Sequence, residues 1–171
     1  MTTLGIDAST KCTGYAVFRD GELIDYGKVS SDKDNWRERV VFMMKEVARL
    51  AKEYSADEIV AEVPVKTLAN VNTLEQLFSL HGALLGISAV LHIRFVPIEV
   101  NSWRKKLGLL KDIPKSTKDK RAILKERSIK MANELYGLEL VWKSASSKYN
   151  DDDISDAILI AHTYISDREV S

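Results

Sequence analysis

Residues 4–29 read LGIDASTKCTGYAVFRDGELIDYGKV, and the alternation in this stretch decides the fold. Residues 4–8 read as a short strand with Asp7 near its end. Residues 13–18 and 22–29 read as two more strands, joined by Arg19-Asp20-Gly21. Asp and Gly both tolerate positive φ, which a tight hairpin between twisted strands requires. The chain therefore opens with an antiparallel meander of three strands.

Beyond the meander the apolar period lengthens. Within residues 35–54, Val40, Met43, Met44, Val47, Leu50 and Ala51 recur at helical spacing above a charged opposite face. Residues 58–61 form a fourth strand, halted by Pro64, and 66–72 read as a loop. Residues 73–91 read as a second helix with Thr73 and Glu75 as start residues. A fifth strand covers 93–98. Asn101 is placed to cap a short helix running to Leu107. After a loop around Pro114, Ser116 caps a third long helix ending near Tyr136-Gly137. A polar loop, 143–150, precedes a last helix over 151–165. Meander, then helix-strand-helix-strand, predicts an α/β fold with a mixed five-stranded sheet flanked by helices. The last two strands are reached through helical crossovers and so pair in parallel. With no linker in 171 residues, the expectation is one domain spanning 1–171.

Composition narrows the class. The single cysteine, Cys12, excludes an intrachain disulfide and suits a reducing cytoplasm. The opening residues lack the basic and apolar segments of a signal peptide. The most apolar segment, 83–91, is about half the ~20 residues of a membrane span, so a cytoplasmic protein without membrane association is expected. No organic cofactor is suggested. Net charge is zero, yet residues 104–130 hold eleven Lys or Arg and only Asp112, Asp119 and Glu126 as acids. That segment is +8 and the rest of the chain −8, an asymmetry able to attract a polyanion. Lys115, Lys118, Lys120 and Arg121, at the start of the third long helix, are the candidate phosphate contacts. A solvated helix face explains any one of them equally well.

Carboxylates supply the candidate chemistry. Asp7 and Glu62 both stand at strand C-terminal ends, where open α/β sheets place their ligands. Asp57 and Glu58, flanking the fourth strand, read as solvated. Asp153 and Asp156 are three apart near the start of the last helix and share a face. Asp151 or Asp152 serves its N-terminus, but Asp156 lies in the second turn, directly before the apolar run 157–161. Paired carboxylates repel unless a cation lies between them, and hard oxygen ligands suit Mg²⁺ or Mn²⁺. His81 and His92 are not placed to join these acids, and Cys12 reads as a small strand-end residue.

Leu4-Gly5-Ile6-Asp7 followed by Thr13-Gly14-Tyr15-Ala16, then Ala61-Glu62, then Asp153-Ile154-Ser155-Asp156-Ala157 on a late helix, resembles the RuvC family of Holliday-junction resolvases. The resemblance spans essentially the whole chain, in order, and looks nearest to diverged phage-encoded members. It implies a ribonuclease-H-like fold, a homodimer, and Mg²⁺- or Mn²⁺-dependent nicking of branched DNA to give 5′-phosphate ends. By the same resemblance Asp7, Glu62, Asp153 and Asp156 are the catalytic and metal-binding set. It departs from the family after the first strand, where Asp7-Ala8-Ser9 replaces Asp-Pro-Gly. It departs again three residues after Glu62, where Val65 stands at an often aromatic position. The second helix is apolar around most of its circumference, so it needs burial on more than one side. With the resemblance added, Leu77, Phe78, Gly82 and Gly86 are the expected dimer contacts.

Three other readings compete. An actin-like or sugar-kinase ATP-binding domain also opens on a strand, an Asp turn and a hairpin, but needs a second glycine-rich phosphate loop that is not evident. A non-catalytic branched-DNA-binding relative has no physical reason to keep four repelling acids. A ribonuclease H or transposase takes its acids from a different order of elements than a glutamate ending the fourth strand.

Overall fold

The computed structural model describes residues 1–64, 70–113 and 119–170. Five strands, β1 (Thr2–Asp7), β2 (Cys12–Arg19), β3 (Glu22–Ser30), β4 (Glu58–Glu62) and β5 (Arg94–Ile98), form one sheet in the order β3-β2-β1-β4-β5. β1, β2 and β3 pair antiparallel, whereas β4 joins β1 and β5 joins β4 in parallel. This is the predicted mixed sheet. Asp20 and Gly21 turn the β2–β3 hairpin with φ of 50° and 87°, the pair of positive values that the right-handed strand twist favours.

The helices are α1 (Trp36–Glu53), α2 (Val71–Leu91), α3 (Val100–Lys106), α4 (Lys120–Tyr136) and α5 (Asp152–Val170). Side chains alternate between sheet faces with period two, and the two faces take different helices. Leu4, Ile6, Val17, Ile59 and Ala61 pack with α1 and α2. Ala16, Phe18 and Val60 pack with Trp103 of α3, Leu124 and Ala132 of α4 and the apolar run of α5. Gly5 and Gly14 let α5 lie directly on the sheet. A Cβ at Gly5 would sit 2.5 Å from the Ala157 carbonyl oxygen, and one at Gly14 only 1.9 Å from that of Asp153.

Several boundaries differ from expectation. Asn70, not Thr73, caps α2, its side chain accepting from the Thr73 amide at 2.9 Å. α3 begins one residue before Asn101, with Glu99 at the cap. α4 begins at Lys120, and the proposed cap Ser116 lies outside the described residues, as do Val65, Lys115 and Lys118. α5 continues to Val170, five residues past its expected end, and that extension has a consequence for Glu58. Glu58 is fully buried rather than solvated. It shares the α5 face of the sheet with Val60, and its carboxylate accepts from Thr3 Oγ1 at 2.7 Å, Tyr164 OH at 2.8 Å and Arg168 at 3.0 Å. Only this set of donors makes a buried carboxylate tolerable. Asp57 stays exposed and accepts from the Thr2 amide at 2.6 Å.

The second helix is buried on one side only. Leu80, Leu84 and Ser88 form its buried stripe, while Val71, Phe78, Leu85 and Val90 are exposed. Among the described residues nothing lies within 4 Å of a notional Cβ on Gly82 or Gly86. Packing among the described residues therefore does not account for its apolar surface. By length and composition alone α2 is also long and apolar enough to cross a membrane, which corrects the reading that no segment is; counting only 83–91 missed its first three turns.

Candidate active site

Asp7 ends the central strand β1 and Glu62 ends the adjoining parallel strand β4. Odd-numbered positions of β1 (Thr3, Gly5, Asp7) and even-numbered positions of β4 (Glu58, Val60, Glu62) share the face that α5 covers. Both carboxylates thus point to the same side at the same end of the sheet. α5 runs back along this face, with Asp153 and Asp156 at the cluster and Tyr164 at Glu58. The spans agree: eight helical residues rise about 12 Å and four strand residues about 13 Å. The other three predicted acids are all brought within electrostatic reach of Asp7.

Burial, with the charges of Asp156, Glu62 and Asp153, holds the Asp7 carboxyl well above its usual range; Arg104 opposes this. Burial also raises Glu62 and Asp156, in each case against the pull of Arg104. Asp156 Oδ1 is buried and has no hydrogen-bond partner among the described residues. A buried carboxylate oxygen without a partner is costly.

Two neighbouring residues of α3, unforeseen in the sequence, complete the arrangement. Trp103, fully buried, donates its indole N–H to Glu62 Oε1 at 2.6 Å. The Arg104 guanidinium donates to Asp156 Oδ2 at 3.1 Å, lies 3.9 Å from Glu62 Oε1 and stacks over the Trp103 ring at 4.8 Å from its centroid. Lys125 of α4 pairs with Asp152, and Ser128 stands beside Asp156. On the other flank, Lys28 of β3 binds Asp151 at 2.9 Å and the Asn150 carbonyl at 3.0 Å, anchoring the start of α5. The one sequence signal for Arg104 was its place at the head of the basic segment; nothing local marked it as the arginine that turns inward.

Among the described residues no three of these side chains stand together as a preformed metal cage; Arg104 and Trp103 occupy Asp156 and Glu62 instead. The donor set nonetheless fits a hard divalent cation. It consists of carboxylate oxygens alone, one of them orphaned, and their mutual repulsion is what a cation relieves. The histidines stand apart from it. His81 packs edge-on against Phe95 at 5.2 Å, and His92 ends α2 in the left-handed conformation. Cys12 begins β2, and burial pushes its thiol up to about 11.

Of the candidate phosphate contacts, Lys120 and Arg121 open α4 and are exposed. α4 packs beside α5 through Leu124 and Ala132, so both lie on the helix neighbouring the one that carries Asp153 and Asp156.

No protein-family model matches the chain, and no curated protein matches it by sequence. Its fold matches solved structures over almost its full length. Thermus thermophilus RuvC in complex with a Holliday junction substrate aligns with a TM-score of 0.74 at 15% identity, covering 100% of this chain and 97% of that one. The yeast mitochondrial Holliday junction resolvase aligns at 0.60 and 13% identity over 95% of this chain and 77% of its own. The fowlpox virus Holliday junction resolvase aligns at 0.59 and 14% identity over 98% and 99%. The mixed sheet with its flanking helices is therefore the ribonuclease-H-like fold of the RuvC-type resolvases.

Proposed function

We propose that this chain is a structure-selective endonuclease that hydrolyses phosphodiester bonds in branched DNA, with four-way junctions as its substrate. The observation that carries the reading is the convergence of Asp7, Glu62, Asp153 and Asp156 at one end of the sheet beneath α5, in a fold shared with resolvases. A solved relative of that fold is described in complex with a Holliday junction. A structural role alone does not explain four acids gathered where Asp156, Glu62 and Asp153 raise the cost of ionising Asp7.

Asp7, Glu62, Asp153 and Asp156 would hold Mg²⁺ or Mn²⁺. When bound, the cations supply charge neutralisation at the phosphodiester and a nucleophile at neutral pH. The protein's own part is positional. β1 and β4 hold Asp7 and Glu62 on a rigid sheet, and Gly14 lets α5 bring Asp153 against them. Trp103 orients Glu62 through its indole N–H. Lys120 and Arg121, with Lys115 and Lys118, would meet the DNA backbone, releasing counterions and making affinity fall with salt. Products would carry 5′-phosphate ends.

The exposed apolar side of α2 supports a homodimer. Phe78 protrudes, Leu77 is half-buried, and the bare Gly82 and Gly86 permit close backbone approach. A two-fold axis through this helix would present two active sites to the two equivalent strands of a junction.

The test is a cleavage assay with purified protein, Mg²⁺, Mn²⁺ or EDTA, and labelled four-way junctions, forks, flaps and linear duplexes. Cleavage of branched substrates only, dependent on the divalent cation, is expected. Asp7→Asn, Glu62→Gln and Asp156→Asn should each abolish it while leaving junction binding in place. A variant that cuts at the wild-type rate removes its carboxylate from the site.

A further inference from the structure

The loop before α5 carries a feature that the carboxylate chemistry does not use. Tyr149 is 60% exposed. The Lys143 ammonium lies 4.9 Å and the Lys148 ammonium 5.3 Å from its ring centroid. Two like charges drawn to one ring repel each other, an arrangement that an approaching anion relieves. Between the lysines the loop holds only Ser144, Ala145, Ser146 and Ser147, so this stretch itself contributes no acid and no bulky side chain.

The loop is held in place despite its exposure. Asn150 is buried and closes its neck, donating Nδ2 to the Ser144 carbonyl at 2.7 Å and accepting from the Lys143 amide at 2.9 Å. Asp151 exchanges two bonds with Val141, both at 3.0 Å. Lys28 ties this neck to β3 through the Asn150 carbonyl and Asp151. Tyr149 stands four residues before Asp153, so their backbones are at most about 14 Å apart. A fixed, exposed aromatic ring flanked by cations, beside a phosphodiester-cleaving site, has the chemistry of a nucleotide: a π-face for the base and ammonium groups for the adjoining phosphates.

We propose that Tyr149, flanked by Lys143 and Lys148, is a stacking platform for an unpaired nucleotide of the DNA strand led to the carboxylate cluster. The inference rests on the branched-DNA reading above. A base stacks on an exposed ring only when it has left its own helix. Tyr149 therefore favours DNA with unpaired or loosened bases at a branch over uninterrupted duplex.

The test reads binding, without divalent cation so that nothing is cut. The probe is a four-way junction with 2-aminopurine beside the crossover, and fluorescence anisotropy is followed alongside 2-aminopurine emission. The wild type and Tyr149→Phe should bind alike and change the emission alike. Tyr149→Ala should lose about tenfold in junction affinity and lose the emission change, with affinity for linear duplex and melting temperature unmoved. Lys143→Ala with Lys148→Ala should weaken binding and flatten its salt dependence. If the wild type binds the junction and Tyr149→Ala matches it in affinity and emission, the platform is refuted while the functional reading stands. If the wild type shows no preference for the junction over duplex, the functional reading falls and takes the platform with it.

Discussion

Replacing Gly14 with alanine tests the link between the sheet and the helix that carries half of the cluster. The added Cβ would stand 1.9 Å from the Asp153 carbonyl oxygen, 2.3 Å from its carbon and 3.0 Å from the Ile154 nitrogen. All three are backbone atoms, so no rotamer change relieves the clash. Reaching even 3.0 Å requires the carbonyl to retreat by about 1.1 Å (3.0 minus 1.9). Overpacking of this kind costs about 1–3 kcal/mol, or roughly 2–12 °C in melting temperature for a domain of this size. The larger effect falls on the site. Moving the start of α5 separates Asp153 and Asp156 from Asp7 and Glu62, and a misplacement of about 1 Å costs on the order of 100-fold in rate. Thermal melts and single-turnover cleavage of a labelled four-way junction measure the two effects. A Gly14→Ala protein that melts and cuts like the wild type would refute the claim that this contact sets the cluster's geometry.

Three further outcomes are expected. Because the folded Asp7 carboxyl titrates well above 3.8, the folded state binds more protons than the unfolded one between 3.8 and that raised value. Stability without metal should therefore increase as pH falls through this window, and be fully gained below 3.8. Asp7→Asn should stabilise the metal-free protein at neutral pH and flatten this trend in melts recorded in EDTA; an unchanged profile would place Asp7 outside the charged cluster. Arg104→Gln removes the nearest cation from Asp156 and Glu62 and should cost about 3 kcal/mol in EDTA, with Mg²⁺ restoring part of the loss in the same melt. Gly86→Leu should yield monomers by sedimentation, binding branched DNA weakly without paired nicking. A wild type that stays monomeric with and without DNA would leave the α2 surface without its proposed partner.

Much of this molecule was legible in the chain because the deciding signals are local. The apolar period of residues 35–54 named the six residues that α1 buries, Val40, Met43, Met44, Val47, Leu50 and Ala51. Asp20-Gly21 announced its hairpin, and alternation set Asp7 and Glu62 at strand ends. The spacing of Asp153 and Asp156 put both on one face of α5. The acids of the candidate site could thus be picked out, though not the shape in which they meet.

What local periodicity does not carry is the partner of a side chain across the fold. Glu58 read as solvated because it flanks the fourth strand; its arginine, Arg168, is 110 positions away on the far end of α5. Trp103 and Arg104 reach Glu62 and Asp156 across 41 and 52 positions; Arg104 heads a basic segment whose members read as readily as solvated surface, and nothing in the sequence singled out Trp103. The second helix shows the same limit from the other direction. Its composition required burial on more than one side, but only the packing of Leu80, Leu84 and Ser88 revealed which side the chain itself covers. Hydrophobic pattern and turn chemistry are properties of neighbouring residues, so the sequence by itself determined the elements, their order and the candidate acids. Charge pairing and burial depend on which faces meet, and the tertiary structure alone decided that Arg104 turns inward, that Glu58 is enclosed and that half of α2 is left open.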